Sequence, residues 1–402
     1  MSMGQIAKLG GKYSETTAIR HLLDYHGVTA AHNNKPISEA MLFGISGGIG
    51  FSYYLFEYDG FEPTLFISVA HRYTSRFGQY MDRLYKRLGL ETIIKMTRSS
   101  HEAETNLITD LAHGRPVIVH VDRGQLPYYA EETEYGDHAL LVLGRDDNSN
   151  DLLIADQSQQ PVYLPPADLT FARESIDSLS FRALTLTKPE NPIDLKEGIE
   201  RGIKQCWDAL INAPQPKKNY GLTGLQNWVD LINSPKAKRG WLKIFTPGPN
   251  LYVGLKWTFK CIETLETGGG GMRSLYADFL EEAAPILDNK NLKDVAKLYR
   301  KSAQLWTELA YAALPDDVPL LKDTRELIIN AEEAFLKGGM KAVDEMVNVK
   351  VQQDELTEQA YTNFPLDATQ STQLLDGLKK RLEKILNIET EAATALKEAM
   401  IL

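Results

Sequence analysis

Short runs of β-branched and other apolar residues alternate with amphipathic stretches in the first half of the chain. The stretches at 16–25 and 75–88 repeat their apolar residues at helical spacing, and Gly27 and Gly89 supply stop signals after them. Two kinds of periodicity in one segment predict an α+β fold. The predicted strands are Phe51–Tyr58, Thr64–Val69, Thr92–Met96, Pro116–Val121, His138–Leu143, Leu152–Asp156 and Leu179–Leu186.

From Asp194 onward the apolar residues follow the rhythm of helices. Pro189 and Pro192 interrupt the pattern just before this point, and Asp194 can cap the helix that follows. We therefore predict an α+β domain over residues 1–190 and an all-helical domain over residues 191–402. The predicted helices of the second domain are Asp194–Asn212, Thr223–Ile232, Leu251–Leu265, Ser274–Ile286, Leu292–Ala313, Leu321–Phe335 and Gln370–Met400.

The net negative charge of the chain argues against a nucleic-acid partner. The 402 residues contain 44 Lys and Arg against 54 Asp and Glu, a net charge of -10. A nucleic-acid-binding protein needs a basic surface to displace counterions from phosphates, so the sequence predicts no nucleic-acid partner. One local exception, which we call the basic island, is either a docking surface or an ordinary solvated turn. It consists of Lys217, Lys218, Lys236, Lys238, Arg239 and Lys243.

The sequence predicts a cytoplasmic location without membrane association. No apolar run approaches the roughly 18 residues that a membrane-spanning helix needs, and the first residues lack the apolar core of a signal peptide. The two cysteines, Cys206 and Cys261, lie within helical patterns. That placement fits two buried thiols in a reducing compartment.

A glycine pair, Gly10 and Gly11, leads into a predicted helix with Ser14 in its first turn. The N–H groups and the positive end of the helix dipole at such a point stabilise negative charge on a nucleophile or on an oxyanion beside it. Serine is also a preferred helix N-cap, so Ser14 is either a nucleophile or an ordinary cap. As a nucleophile, its hydroxyl needs a general base.

His138 opens an apolar strand, and Asp156 ends the next one. Antiparallel pairing across the turn at 146–151 would bring both residues to the same end of a hairpin. There the carboxylate can hold one ring nitrogen and leave the other as a base. The order nucleophile, histidine, aspartate, with the nucleophile at a helix start, is the papain arrangement. Each residue alone also fits a structural role, and their combination predicts a catalytic site.

Further motifs accompany these residues. They are Gly11-Lys-Tyr-Ser-Glu-Thr-Thr-Ala-Ile-Arg20, Ser38-Glu-Ala-Met-Leu-Phe-Gly-Ile-Ser-Gly-Gly-Ile-Gly-Phe51, Pro116-Val-Ile-Val-His-Val-Asp122 with Leu126-Pro-Tyr128, His138-Ala-Leu-Leu-Val-Leu-Gly144 with Ala155-Asp156, and the glycine-rich Thr267–Ala284. In this order, over about residues 8 to 313, they resemble the butirosin biosynthesis H family.

The resemblance implies a papain-like (cysteine-peptidase-like) N-terminal domain followed by the family's helical C-terminal domain. It also implies transfer of an acyl group from a carrier-protein thioester to an amine, without a cofactor, and a hydrolase or cyclase of the same fold is the alternative. His138 would be the base and Asp156 would orient it. The family's His-Cys pair is Tyr13-Ser14 here. Three explanations stay open: Ser14 is a slower nucleophile, the domain only binds, or His138 activates the amine directly.

Substrate-contact residues are expected around this site. The loop at 44–51 lacks the Gly-Lys-Ser/Thr of a phosphate loop, so we do not predict nucleotide binding. This loop either lets the backbone approach a ligand closely or is a plain tight connection. Residues 123–136 form either a lid or amine contact or an ordinary solvated surface loop. Expected partners are an acyl carrier protein or other thioester donor, a small-molecule amine and a second copy of the chain. The predicted contact residues are Tyr13, Gly47, Gly48, Asp122, Tyr128 and Arg273.

A metal site is not predicted from the acidic and histidine residues near the second motif. His120 and Asp122 alternate along one strand, and Glu132 and Glu134 follow in the loop. Two ligands spaced i, i+2 do not define a metal site, so we favour a structural or substrate-orienting role for Asp122.

Overall fold

The computed structural model describes residue 6 and residues 8–58, 60–70, 79–129, 137–176, 180–212 and 217–401. Within them, strands occur in the first part of the chain, and the regular elements from Lys196 onward are helices. The predicted α+β fold class is therefore confirmed. The strands are β1 Ile49–Phe56, β2 Thr64–Ala70, β3 Thr92–Lys95, β4 Val117–Asp122, β5 Asp137–Arg145, β6 Leu152–Ala155, β7 Val162–Leu164 and β8 Ala183–Leu186.

The helices agree with the apolar rhythm of the sequence, with several additions. The helices are α1 Ser14–Tyr25, α2 Glu39–Ser46, α3 Gln79–Arg87, α4 Ser100–Ala112, α5 Pro166–Glu174, α6 Lys196–Ile211, α7 Gly221–Ile232, α8 Trp241–Ile244, α9 Pro249–Glu263, α10 Arg273–Ile286, α11 Asn291–Ala313, α12 Pro319–Gly338, α13 Val343–Thr362 and α14 Ala368–Met400. Among these helices of the described residues, α2, α4, α5, α8 and α13 were not predicted.

Six strands form one antiparallel sheet in the order β3-β8-β4-β5-β6-β7. The central strands β4 and β6 are buried along their whole length, as is β5 up to its last residue. Apolar residues on both faces of these strands account for that burial, since a strand covered on both sides reads as a continuous apolar run. The predicted hairpin of β5 and β6 is present, with Leu141 paired to Ala155.

The chain forms two compact units that are not consecutive in sequence. We call them the sheet unit (residues 1–42, 75–198 and 330–350) and the helical unit (residues 43–74, 199–329 and 351–402). The hairpin of β1 and β2 thus belongs to the helical unit, and the end of α12 belongs to the sheet unit. Whether residues 1–190 and 191–402 are separate sequence domains stays a prediction.

The core of the helical unit is aromatic. Trp228, Trp241 and Trp306 are completely buried. Phe51 of β1 packs between two of them, with ring centroids 6.2 Å from Trp228 and 5.9 Å from Trp306. Trp241 donates a hydrogen bond of 2.9 Å from Nε1 to the hydroxyl of Tyr53. The apolar face of the β1–β2 hairpin is therefore buried against helices of its own unit.

Among the residues that the structure describes, no helix combines the length and apolar character required to span a membrane.

Candidate active site

Ser14 is the first residue of α1 and is completely buried. The N-cap position is held by Tyr13, whose backbone is extended (φ -131°, ψ 118°) and whose side chain makes no capping hydrogen bond. The alternative that Ser14 is the N-cap is therefore wrong by one residue. Ser14 instead lies in the first turn, where the N-terminal partial positive charge of the helix is strongest.

The glycine pair brings this helix start to the end of β6. Gly11 donates a backbone hydrogen bond of 3.2 Å to the carbonyl of Gln157, the residue after Asp156. A Cβ atom on Gly11 would lie only 1.9 Å from the Thr17 hydroxyl oxygen, so the close turn requires glycine here. Because α1 also packs along β5, the turn that carries Ser14 lies beside the strands of the predicted site.

His138 and Asp156 are in direct contact. The ring Nε2 of His138 lies 2.8 Å from Oδ1 of Asp156, and neither residue is more than 1% exposed. His138 is in β5, and Asp156 directly follows β6, so the antiparallel hairpin places both at one end of the strand pair. The predicted contact is confirmed. It leaves acid-base chemistry at the ring to Nδ1.

Several donors hold the Asp156 carboxylate. Tyr128 donates from its hydroxyl over 3.0 Å, and the backbone N–H of Gln157 donates over 2.8 Å. Burial alone would raise the pKa of Asp156. The His138 ring and these hydrogen bonds lower the pKa by more than burial raises it, so the pKa lies below its ordinary value. Asp156 is therefore ionised at neutral pH and can stabilise a protonated imidazole. Tyr128, predicted as a substrate contact, supports Asp156 instead of facing outward.

A segment of the helical half of the sequence completes this environment. Phe335 of α12 stacks on Tyr128, with ring centroids 5.3 Å apart, and contacts Tyr129 at 4.4 Å. Arg123 lies over the Tyr129 ring and forms an ion pair of 3.3 Å with Glu332, which is 209 residues away in sequence. Sequence reasoning missed Glu332 and Phe335, because no local pattern indicates a contact across so long a stretch of chain.

Two predicted substrate contacts have partners within the sheet unit. The Tyr13 hydroxyl donates 2.8 Å to Glu15, and both side chains are buried. Asp122 accepts a hydrogen bond of 2.9 Å from the backbone N–H of Gly124 and thereby caps the short turn at 123–125. These contacts give both residues a structural role, and a role in binding substrate stays a prediction.

The remaining predicted contacts lie in the helical unit. Gly47 and Gly48 have positive φ values of 127° and 64°, and a Cβ on Gly48 would come within 2.5 Å of the Tyr276 ring. Arg273 is buried and uses all five of its N–H groups within the unit. Their acceptors are the carbonyls of Gly50, Val69 and Gly271 and both carboxylate oxygens of Glu389.

A second histidine–aspartate pair lies on the opposite face of the same two strands. His120 Nδ1 is 2.5 Å from Oδ1 of Asp137, and both residues are buried. In the register of β4 and β5, His138 is paired with Val121, and His120 is paired with Ala139. Since successive residues of a strand point to opposite faces of the sheet, the side chains of His120 and His138 lie on opposite faces. The described residues contain no group of three or more potential metal ligands, and Glu132 and Glu134 lie outside them. So does the second half of the predicted lid, residues 130–136.

A buried residue at a helix start, together with a histidine–carboxylate pair on antiparallel strands, is the arrangement of papain-like α+β proteins. Residues 14–157 match the family described as butirosin biosynthesis protein H, N-terminal, and residues 167–317 match a domain of unknown function, DUF4872. The chain belongs to the butirosin biosynthesis protein H family, with its papain-like N-terminal domain and its helical C-terminal region. The family is one of biosynthetic, enzyme-like proteins. No curated protein matches the chain.

Proposed function

We propose that this protein transfers an acyl group from a thioester to an amine in the biosynthesis of a small molecule. The observation that carries the proposal is the hydrogen bond of 2.8 Å between His138 and an Asp156 that remains ionised. A carboxylate at Nε2 fixes the orientation of the ring and stabilises the imidazolium formed when Nδ1 accepts a proton. Proton acceptance of this kind accelerates acyl transfer by typically about 10²–10⁴-fold.

Two routes use the same base. In the direct route, His138 takes a proton from the amine as its nitrogen attacks the thioester carbonyl, the C–S bond breaks and the thiolate leaves. In the acyl-enzyme route, Ser14 gives its proton to His138, forms an ester and releases the thiol. The amine then attacks the ester, the C–O bond breaks and Ser14 recovers a proton. Both routes end in an amide and a free thiol.

The proposed site residues are deeply buried. Ser14 and His138 are 0% exposed and Asp156 is 1% exposed. Substrates that fill this buried site would exclude water from the base and from any acyl intermediate, and competing hydrolysis would be suppressed. An amine bound in place of that water is the acceptor that such a site is suited to use.

The test is product analysis with the intact protein. We expect an amide by mass spectrometry when a panel of acyl thioesters is offered together with a panel of amines. Free acid as the sole product would make the protein a hydrolase, and loss of the thiol without a free acid or an intermolecular amide would indicate cyclisation. Thioesters that bind but are returned unchanged in every combination would contradict catalysis and favour a binding role.

The proposed donor is an acidic acyl carrier protein that docks on the basic island. Arg239 is already engaged, since it forms an ion pair of 3.2 Å with Glu57 and binds the Leu55 carbonyl over 2.8 Å. Lys236 and Lys238 are exposed, and no described residue forms an ion pair with either of them. Their charges are thus the part of the island that can meet an acidic partner.

Reversing these charges with Lys236→Glu and Lys238→Glu should raise the KM for a carrier-bound thioester by about tenfold at low salt, because electrostatic docking is lost. A short thioester without the carrier should react as before. The matched control is Lys290→Glu with Lys293→Glu, two exposed lysines outside the island. An unchanged KM in the island variant, or an equal rise in the control, would exclude the island as the docking surface.

A further inference from the structure

The Arg20 guanidinium holds the turn that leads into Ser14 by donating to its backbone carbonyls. Arg20 of α1 donates over 3.0 Å from its guanidinium to the carbonyl of Lys8 and also donates to the carbonyl of Gly10. Arg20 further pairs with Asp24, one helical turn later. Since Gly11 binds the Gln157 carbonyl, the segment before Ser14 is fixed both to its own helix and to the strand that carries Asp156.

The same turn is held on its amide side by an anion from another helix. Oε1 of Glu39 accepts hydrogen bonds of 2.9 Å from the backbone N–H groups of both Lys12 and Tyr13. The hydroxyls of Thr17 and Thr16 donate to the same oxygen over 3.1 and 3.3 Å. The N-cap residue of α1, Tyr13, makes no side-chain capping hydrogen bond. The carboxylate at the start of α2 instead holds the two backbone N–H groups that lead into the helix.

We propose that Glu39 is the positioning residue of the site: it fixes the turn that presents Ser14 and adds one negative charge beside the reacting group. The four contacts of Glu39 support its structural role in fixing the turn. Its effect on catalysis rests on the proposed function. Glu39 touches neither His138 nor Asp156 in any of these contacts, so it acts through the turn. A negative charge at this place opposes the field of the helix N-terminus at position 14.

The positional effect is tested by amide hydrogen exchange of the full chain. Glu39→Ala should speed exchange at Lys12 and Tyr13 at least about tenfold, because their acceptor is removed. Glu39→Gln should keep them protected, since the amide oxygen still accepts. Asp367→Ala is the matched control. The Asp367 carboxylate caps α14 by accepting a hydrogen bond from the backbone N–H of Gln370, so its loss should affect exchange at Gln370 only.

The charge effect is tested with Ser14→Cys, whose thiolate absorbs in the ultraviolet and needs no reagent to reach it. The native thiols do not interfere, because burial raises the pKa of Cys206 to about 12 and that of Cys261 to about 11. Titration is compared with Ser14→Ala to subtract other absorption. Adding Glu39→Gln should lower the pKa of the introduced thiol by about 0.5–1 unit, because one nearby negative charge is removed.

The other charged groups around position 14 are the same in both titrations. They are Lys12, Glu15, Arg20, Asp24, His138 and Asp156. His21 adds no charge, because burial and the neighbouring Arg20 lower its pKa to about 3. The difference between the titrations therefore measures Glu39 alone.

The inference is overturned if Glu39→Ala leaves exchange at Lys12 and Tyr13 unchanged, or if Glu39→Gln leaves the thiol pKa unchanged. If Glu39→Ala does not fold, the titration with Glu39→Gln decides. Both measurements are independent of turnover, so absence of any amide product would remove the proposed function and leave this inference standing. Where turnover is observed, kcat should fall about tenfold or more in Glu39→Ala and recover in Glu39→Gln.

Discussion

The variant His138→Gln should lose the proposed acyl transfer by about 10²–10⁴-fold, because in the proposed mechanism His138 accepts the proton of the attacking nucleophile. Amide formation from a thioester and an amine, followed by mass spectrometry over a range of substrate concentrations, measures the loss. The fall should be in kcat rather than in KM, since a base acts in the transition state and not in binding. Glutamine retains a polar side chain in the buried position.

The matched control for this prediction is His120→Gln. His120 is buried, bonded to an aspartate and located on the same strand pair, but it lies on the other face of the sheet. We expect both variants to lose similar amounts of stability, while His120→Gln keeps its kcat. Equal loss of kcat in both would mean that a disturbed sheet, and not a missing base, explains the effect.

Ser14→Ala then separates the two routes. If the variant retains most of its kcat while His138→Gln does not, the amine attacks the thioester directly. If Ser14→Ala is as inactive as His138→Gln, the acyl passes through the serine, and an ester on Ser14 should be detectable in the wild type by intact mass. Ser14→Cys should then be faster than the wild type, because a thiol is the stronger nucleophile beside an imidazole.

Arg273→Met should lower the free energy of unfolding of the helical unit by about 3–5 kcal/mol. The change leaves Glu389 buried without its cation, although Ser302 and Trp306 still donate to it over 2.5 and 3.1 Å. It also removes the donors to the carbonyls of Gly50 and Val69 in the β1–β2 hairpin. Urea unfolding followed by tryptophan fluorescence suits the measurement, since Arg273 lies 5.1 Å from the Trp306 ring.

Two further variants separate the buried ion pair from a general loss of packing. Arg273→Met with Glu389→Met should recover part of the stability, because no unpaired charge remains inside. Lys297→Met breaks an exposed pair with Asp294 and should leave the free energy of unfolding nearly unchanged, because solvent screens the two charges. An equally small change in Arg273→Met would contradict the importance of the buried pair.

The ion pair of Arg273 and Glu389 also predicts that the stability of the protein falls at acid pH. Burial alone raises the pKa of Glu389, but Arg273 and the other donors lower it more, and the pKa in the folded protein lies below its ordinary value. As the pH falls from the ordinary glutamate pKa, about 4.3, towards the lower pKa of the folded protein, the unfolded chain takes up the proton first and the stabilisation is progressively lost. The double methionine variant should show a weaker loss over this range.

The sequence predicted those parts of the site that depend on local pattern. The β5–β6 hairpin follows from two apolar runs around a polar turn, and the contact of His138 with Asp156 follows from that hairpin. Helix α4 could have been predicted as well, because Ser99 and Glu102 give a capping signal and Ser99 accepts from the Glu102 N–H. Strand β7 has only three residues, too few to show a period.

The sequence could not show which segments, distant along the chain, pack together in each unit. Nothing in the alternation of β1 indicates that its apolar face meets Trp228 and Trp306 of the helical unit and not the six-stranded sheet. Likewise, the apolar rhythm of α12 predicts a buried face but not that Phe335 contacts Tyr128. Periodicity specifies which side of an element is buried, and the partner is selected by packing of the whole chain.

The interleaved units have a consequence for how the protein is made. The sheet unit contains residues 330–350, so a nascent chain that has been synthesised up to Gly198 still lacks the segment bearing Glu332 and Phe335. At roughly 5–20 residues per second, a ribosome needs about 8–30 s more to supply it. During that interval Tyr128 and Tyr129 lack the aromatic contacts that Phe335 provides in the folded protein.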